Sequence, residues 1–170
     1  MLLVSNDQID VFAARLGREP LEVSQEEFTN HLKARHARVK ALLLDQRLFR
    51  GIGNIYADES LWQARIHPAR LASRLAPDDL RRLWKAIRRV LKHAIEDRGS
   101  SISNFVDAEG QPGEYQQRHR AYGREGKPCF RCGTKIQRTI VAGRSSYFCP
   151  RCQPAPRRAR IMRARAKRRI

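Results

Sequence analysis

Four cysteines near the C-terminus stand in two pairs, Cys129 with Cys132 and Cys149 with Cys152, at a spacing that suits a metal site. Sixteen residues separate the pairs, which is within the range expected for four thiolates that share one zinc ion. Each Cys-x-x-Cys turn presents two sulfurs, and tetrahedral Zn²⁺ takes two such turns. The spacing therefore predicts one structural Zn²⁺ bound by all four cysteines.

Two disulfides, or one redox-active Cys-x-x-Cys pair, are the alternative interpretations of the same cysteines. Disulfides are typical of secreted proteins, and the apolar start of the chain, Met1 to Val4, is too short for a signal peptide. A redox protein is distinguished by thiols that react quickly even when zinc is present. Zinc is the interpretation that the sequence favours.

The residues between the two cysteine pairs have the composition of a β-hairpin. Residues 135–141 are predicted to form one strand, 142–144 the turn and 145–148 the returning strand. A ribbon this small cannot bury a core, so the metal would supply its folding free energy. The cations of this ribbon are Lys135, Arg138 and Arg144. They indicate that the ribbon faces a polyanion.

The charge of the whole chain points to the same kind of partner. Its 170 residues include 35 Lys and Arg against 17 Asp and Glu, which gives a formal net charge of +18. Such an excess favours nucleic acid or an anionic membrane surface as the partner. No apolar run approaches the ~18 residues of a membrane span. We therefore expect a soluble, intracellular protein that faces DNA or RNA and binds no membrane.

Two pairs of signals predict the main helices. Ser24 and Glu27 match a capping box, which predicts a helix from 25 to about 35, followed by a second from 37 to 46. Pro77 opens the clearest helix, in which apolar residues recur every three or four positions as far as Gly99, the expected C′ residue. The apolar face of this helix is Leu80, Leu83, Trp84, Ile87, Val90, Leu91, Ala94 and Ile95. Trp62 and Trp84 are interpreted as core residues.

A glycine-rich turn lies between these helical regions. Gly51 and Gly53 allow a tight backbone, and Asn54 is a favoured N-cap for a helix that runs to about Gln63. The negative charges of Asp58 and the following glutamate are expected to stabilise the positive, N-terminal end of the helix dipole. The unpaired N–H groups at such an end form a phosphate site. An ordinary helix–turn–helix corner explains the local pattern equally well.

These signals divide the chain into four predicted parts. Residues 1–23 form a lead-in, 24–122 a helical domain, 123–153 the zinc finger and 154–170 a tail. A long, poorly periodic loop at 99–120 belongs to the helical domain. Eight of the last fourteen residues are Lys or Arg, and such runs are typical of disordered, solvated segments. The predicted fold class is mainly α, with a small β-hairpin zinc ribbon.

Several short motifs follow one another ahead of the second cysteine pair, at 40–46, 51–59, 66–68, 110–113 and 122–124. Together with the cysteines they resemble the C-terminal half of bacterial formamidopyrimidine-DNA glycosylases, the repair family that includes endonuclease VIII. The resemblance runs from about residue 16 to 153. It implies a helix–two-turn–helix domain followed by a β-hairpin zinc finger.

The resemblance also implies a function and a set of site residues. In the family, residues that match Lys40, Asn54 and Arg144 hold phosphates around the lesion, and Tyr56 lies in the same turn motif. The loop at 101–115 would close over an everted base, which must leave the stack for the chemistry to reach it. The implied role is the base-excision repair of oxidised purines, formamidopyrimidine and 8-oxoguanine. The implied partner is duplex DNA with a damaged base or abasic site, bound by a monomer.

The start of the sequence departs from the family's pattern. The family's nucleophile is an N-terminal proline followed by a glutamate, whereas Met1 is followed here by Leu2 and Leu3. The family's N-terminal β-sandwich, with its catalytic lysine, also has no counterpart in this sequence. We therefore expect no catalytic residue in this chain, and Glu59 is interpreted as structural. A separate N-terminal catalytic fragment is one conceivable partner. The competing hypothesis is a standalone basic zinc-ribbon protein that binds nucleic acid non-specifically.

Overall fold

The computed structural model describes residues 16–100 and 113–156. The helices of this part are α1 (Gln25–Lys33), α2 (Val39–Leu44), α3 (Asn54–Ala64) and α4 (Pro77–Glu96). Short 3₁₀ helices span Ala72–Arg74 and Tyr115–Arg118, and the strands are β1 (Gln137–Val141) and β2 (Arg144–Phe148). The fold is mainly helical with one antiparallel hairpin, which confirms the predicted fold class. None of the helices described combines the length and the apolar character that a membrane crossing requires.

Some predicted segments lie outside the described residues. They are most of the lead-in, the centre of the long loop at 101–112, and the basic tail from residue 157 onward. The end of the lead-in packs against the helical domain, because Gly17 N–H donates to the carbonyl of Gln46 at 2.8 Å. A Cβ atom at Gly17 would overlap the backbone of Leu48, so glycine permits this close approach.

The core is built around α4, whose apolar stripe packs against α3 and α1. Leu80, Leu83 and Val90 are fully buried on this stripe, as the helical periodicity predicts. Ile95, which the periodicity places on the same face, is instead 67% exposed. It follows the buried Ala94 by one position and is therefore rotated by about 100° away from the stripe.

The two tryptophans occupy different environments. Trp84 is half-buried against the helical core, and its indole N–H donates to the carbonyl of Val23 at 3.0 Å. Trp62 is buried in a second cluster that contains the cysteines and Ile136 of the finger. Both therefore contribute to packing, but Trp62 does so at the contact between the helical part and the finger.

The helix ends follow the predicted signals with small corrections. Ser24 Oγ accepts from Glu27 N–H at 3.1 Å, and the Glu27 carboxylate accepts from Ser24 N–H, so the capping box is confirmed. At the end of α4 the left-handed C′ residue is Arg98, with φ of 55°, and Gly99 follows it. Gly99 N–H donates to the carbonyl of Ala94 at 2.7 Å, which completes a Schellman motif one residue earlier than predicted.

The second predicted helix, 37–46, is shorter in the structure. It spans only Val39–Leu44, because the backbone of Asp45 leaves the helical region with ψ of 103°. The Asp45 carboxylate then accepts from Arg47 N–H at 3.0 Å and stabilises a turn. The first predicted helix also ends two residues early, at Lys33.

The hairpin has a two-residue turn made of Ala142 and Gly143. Their φ angles are 51° and 71°, both in the left-handed region that a type I′ turn requires. Arg144, which the sequence places inside the turn, is the first residue of β2 and pairs with Val141. The hairpin packs against α3, and Asn54 at the N-terminus of that helix donates to the carbonyl of Ser145, near the start of β2.

Candidate nucleic-acid interface and metal centre

The four predicted cysteine ligands converge in the structure. The Sγ atoms of Cys129, Cys132, Cys149 and Cys152 all lie within 4.8 Å of one another, and none of the four forms a disulfide. Zinc–sulfur bonds of about 2.3 Å in a tetrahedron require sulfurs about 3.8 Å apart. The donor set and its geometry therefore fit one structural Zn²⁺.

Backbone hydrogen bonds shape the two turns that present these sulfurs. Cys129 N–H donates to the carbonyl of Thr134, and Gly133 N–H donates back to the carbonyl of Cys129, both at 2.9 Å. In the second turn Cys152 N–H points to the Cys149 sulfur at 3.4 Å. An N–H group that donates to sulfur favours thiolate over thiol, and the thiolate is the form that binds zinc.

The first cysteine turn docks on the C-terminal end of α3. The guanidinium of Arg131 lies 3.8 Å from the ring centroid of Trp62. It also donates to the backbone carbonyls of Trp62 and Gln63, at 2.6 and 3.0 Å. A cation that caps the last carbonyls of a helix is electrostatically favourable, so Arg131 both packs and anchors the finger.

The second cysteine turn is anchored by a buried amide, that of Gln153. Its Oε1 accepts from Cys149 N–H at 2.9 Å, and its Nε2 donates to the carbonyl of Ile66 at 2.8 Å. The side chain is fully buried and both ends are satisfied. Gln153 thereby fixes the metal centre to the segment that follows α3.

At the other end of the hairpin, the backbone carbonyl of Ser145 receives two side chains that are predicted phosphate contacts. Lys40 Nζ lies 2.8 Å from this oxygen, and Asn54 Nδ2 lies 3.1 Å from it. Asn54 is therefore not the N-cap that the sequence suggests. Gly53 occupies that position, and the Asn54 side chain holds the hairpin against the helix start.

Lys40 is also paired with a carboxylate. Its ammonium lies 2.6 Å from Asp58 Oδ1, and both side chains are fully buried. The second oxygen of Asp58 accepts from Tyr147 N–H at 3.0 Å. Burial raises the pKa of Asp58 to about 6, although Lys40 opposes the shift, and burial lowers the pKa of Lys40. In this conformation Lys40 faces Asp58 rather than solvent, so its direct contact with phosphate stays a prediction.

Glu59 has a comparable role toward the segment that precedes the finger. Its carboxylate accepts from the N–H groups of Arg120, Ala121 and Tyr122 at 2.8–3.0 Å. Burial raises the pKa of Glu59, and these three hydrogen bonds counteract the increase. The residue is almost completely buried, which agrees with its interpretation as structural.

These contacts leave an open groove between α3 and the hairpin turn. The groove has a volume of about 440 Å³ and is lined by residues that include Gln46, Gly53, Asn54, Ala142 and Arg144. The N-cap of α3 is Gly53, which has no side chain to cap the helix, and Gly53 and Asn54 both line this space, so the N-terminal end of α3 opens onto it. Arg144 is exposed on the opposite wall. A helix N-terminus that faces a guanidinium suits a phosphate group.

Tyr56, the fourth predicted contact, is half-buried in the first turn of α3. Its ring meets that of Tyr115 at 5.6 Å in an edge-to-face arrangement, and burial raises its pKa. Tyr115 is buried against Val90 and Ala94 of α4. Tyr56 therefore contributes to packing, and its contact with DNA stays a prediction.

Comparison with known proteins decides which family these features belong to. Residues 16–106 match the formamidopyrimidine-DNA glycosylase H2TH domain, and residues 126–155 match the zinc finger found in FPG and IleRS. The chain belongs to the formamidopyrimidine-DNA glycosylase family. The matched zinc finger and the clustered cysteines together confirm the prediction of one structural Zn²⁺.

Relatives and solved structures of this family align over most of the chain. The formamidopyrimidine-DNA glycosylase of Solibacter usitatus is 56% identical over 140 residues, which are 82% of this chain and 53% of that protein. The crystal structure of MutM (Fpg) from Thermus thermophilus superposes with a TM-score of 0.81 at 45% identity and covers 89% of this chain. This chain covers 58% of the Thermus protein.

A structure that contains DNA is also similar. The complex between the Lactococcus lactis Fpg and abasic-site DNA has a TM-score of 0.80 and 37% identity, and covers 89% of this chain and 57% of that one. The chain thus spans about half the length of the curated relatives that it matches. The similarity therefore covers the helical domain and the finger of these proteins.

Some residues that build the site are missed or misread from the sequence. The sequence interpretation assigns Asp58 to the N-terminal end of α3. In the structure, Asp58 lies in the second turn of that helix and pairs with Lys40. Its position four residues after Asn54 was the available signal, since i and i+4 share a helix face. No comparable signal marked Arg131 or Gln153, whose partners Gln63 and Ile66 in the helical part are 68 and 87 residues distant in sequence.

Proposed function

We propose that this chain is the DNA-binding half of a base-excision-repair glycosylase/AP lyase that acts on oxidised purines. It binds duplex DNA at a damaged base or abasic site, through phosphate contacts in the groove between α3 and the hairpin turn. The single observation that carries the proposal is the uncapped start of α3 opposite the exposed Arg144. This arrangement provides N–H donors and a guanidinium for one anionic group. The cytoplasm, at the nucleoid, is the location that this function implies.

The buried contacts explain how the groove keeps its shape. Asn54 and Lys40 hold the carbonyl of Ser145, the residue next to Arg144. The zinc centre and Arg131 hold the other end of the finger on α3. Both ends of the finger are therefore attached to one helix, so Arg144 is pre-organised relative to the helix N-terminus. Pre-organised donors bind with a smaller loss of conformational entropy.

Fluorescence anisotropy with a short duplex tests the proposal. We expect the zinc-loaded chain to bind a duplex with an abasic-site analogue more tightly than the intact duplex of the same sequence. Arg144→Ala should weaken this binding by about 1.5–3 kcal/mol and lower the salt slope by about 1, as for one phosphate contact. Arg81→Ala is the matched control, since Arg81 is exposed on α4 and pairs with Asp78.

Two results would contradict the proposal. Equal affinity for the abasic and intact duplexes would favour the competing hypothesis of a non-specific basic zinc ribbon. An unchanged affinity of Arg144→Ala would place the contact elsewhere. We also expect no borohydride-trapped adduct with abasic DNA through Lys40, because its ammonium is fully buried and paired with Asp58.

A further inference from the structure

The outward face of α4 carries a group of cations that the groove does not use. Lys85, Arg89 and Lys92 are all exposed, at positions i, i+4 and i+7 of the helix. At about 100° per residue they fall within a sector of about 60°, on the side opposite the buried stripe. We call these three residues the α4 basic face.

The charge of this face is not neutralised by neighbouring carboxylates. Arg81 and Arg82, nearer the start of the helix, form ion pairs with Asp78 and Asp79. Among the ion pairs of the described residues, none involves Lys85, Arg89 or Lys92. The acidic group that lines this face is Glu96, one turn beyond Lys92 at the end of the helix. The three cations therefore present an unbalanced positive potential.

The face is concave and has an ordered floor. It borders a shallow depression of about 350 Å³ that Trp84, Arg88 and His93 also line. Arg88 stacks on the ring of Trp84 at 4.9 Å and donates to the carbonyl of Leu21. Trp84 in turn donates to the carbonyl of Val23. These bonds fix the aromatic floor, so the depression does not depend on loose surface side chains.

The α4 basic face is separated from the groove by the helical core. Helix α3, whose N-terminus forms the groove, packs on the buried stripe of α4, and the basic face points the opposite way. A duplex held in the groove would leave this face free. The three cations span about 10 Å along the helix. Duplex DNA carries one negative charge per ~1.7 Å of its axis, so each cation can meet a phosphate.

We propose that the α4 basic face binds the sugar–phosphate backbone of a second duplex segment while the groove holds the first. Lys85, Arg89 and Lys92 contact phosphates and read no sequence. The chain can then bridge two segments of DNA, or pass from one to the other without free diffusion. The bridging, but not the α4 contact itself, rests on the proposed function of the groove.

A two-duplex capture experiment tests this proposal. An abasic-site duplex is immobilised and loaded with the full zinc-bound chain, and a dye-labelled intact duplex is then added. The test variant is Lys85→Ala/Arg89→Ala/Lys92→Ala, which keeps good helix formers on an exposed face and should fold. The matched control is Lys33→Ala/Arg35→Ala/Arg74→Ala, which removes the same charge from α1 and the segments that follow. The basic tail is present in every protein, so its contribution cancels.

We expect the wild-type chain and the control to retain the labelled duplex. The test variant should retain it at least about tenfold more weakly, with a salt slope lower by about 2–3, since three phosphate contacts are lost. Its binding to the immobilised duplex should change by less than about twofold, as expected for a distant surface. Equal capture by the test variant and wild-type chain would overturn the proposal, as would an equal loss in the control.

A direct titration separates this proposal from that of the groove. The Arg144→Ala chain is titrated with intact duplex, with and without the three α4 substitutions. A further loss of affinity supports the α4 contact even if the wild-type chain shows no preference for abasic DNA. An identical affinity overturns the α4 contact even if the groove behaves as proposed.

Discussion

The ammonium of Lys40 lies 2.6 Å from Oδ1 of Asp58, and neither side chain is exposed to solvent. The pair joins α2 to α3, and its remaining hydrogen bonds reach the carbonyl of Ser145 and the N–H of Tyr147 in β2. Two buried charges therefore connect the helical domain to the finger next to the proposed DNA groove. Their energetics determine how firmly Arg144 is held.

Removing one partner of this pair should destabilise the chain strongly. Lys40→Met or Asp58→Asn leaves one buried charge uncompensated, which costs about 3–5 kcal/mol. The double variant Lys40→Met/Asp58→Asn should cost clearly less than the two single changes summed, because neither charge then remains. Urea unfolding in the presence of zinc measures the free energy of unfolding of all three variants.

The control is Arg81→Ala, which removes one partner of an exposed pair with Asp78 and should cost less than about 1 kcal/mol. Additive effects of Lys40 and Asp58 would show that they are not coupled.

The raised pKa of Asp58 should make stability fall as the pH rises from about 4 to 6. The pKa is about 6 in the folded chain and near its ordinary value of 3.8 when unfolded. Between these values the folded state keeps a proton that the unfolded state has released, so folding is favoured at the acidic end. The loss over this window is on the order of 2–3 kcal/mol. The lowered pKa of Lys40 acts in the opposite sense, over a window of pH that ends near the ordinary lysine pKa of 10.5.

Unfolding by urea at several pH values, compared with the Lys40→Met/Asp58→Asn double variant, measures this contribution. The double variant lacks both groups but keeps the zinc site, so acid release of the metal affects both proteins alike. We expect the wild-type chain to lose stability relative to the double variant as the pH rises. Parallel pH profiles would mean that Asp58 titrates normally.

Zinc removal should unfold the finger while the helices persist. Trp62 packs against Cys129, Cys149 and Ile136, so loss of the metal should expose its indole to water. In a Trp84→Phe background, chelation should therefore shift Trp62 emission to longer wavelength, with little change in helical circular dichroism. The core around α4 contains no cysteine, which is why the helices should survive.

The Trp62→Phe chain is the control, since Trp84 emission should stay constant. Cooperative loss of helix on chelation would contradict this independence.

Glu59→Gln should loosen the segment that precedes the finger. The carboxylate accepts three consecutive N–H groups, whereas a glutamine amide opposes some of them with its own N–H donors. We expect a loss of about 2–4 kcal/mol, since hydrogen bonds to charged groups are worth about 1.5–3 kcal/mol each. Hydrogen exchange at residues 120–122 should accelerate. The control is Glu26→Gln, on the exposed surface of α1, which should change neither the stability nor the exchange rates. If Glu59→Gln also left both unchanged, the structural role assigned to Glu59 would be wrong.

Local signals in the sequence predicted much of this architecture. The period of apolar residues predicted α4, and Ser24 with Glu27 predicted the start of α1, because both patterns report interactions within one helix. The spacing of Cys129 and Cys132, repeated at the second pair, predicted the metal because two short turns are sufficient to bind it.

Contacts between distant elements could not be predicted in this way. Asp58 carries no local sign that its partner is Lys40, and the periodicity of α3 indicates only that Asp58 shares a face with Asn54. Gln153 likewise looks like an ordinary polar residue after a cysteine, although it is fully buried and bound to Ile66. Which polar groups pair depends on how the elements pack, and packing is a property of the whole chain.

The measurement that tests the central claim most directly is a ¹H–¹⁵N NMR titration of the zinc-loaded chain with a short duplex that carries an abasic-site analogue. The account predicts that the largest shifts at the first equivalent of DNA fall on the amides of Gly53, Asn54 and Arg144. Shifts on the α4 basic face should follow only with further duplex. First-equivalent shifts restricted to the tail and α4, with Gly53 and Arg144 unchanged, would contradict the proposed groove.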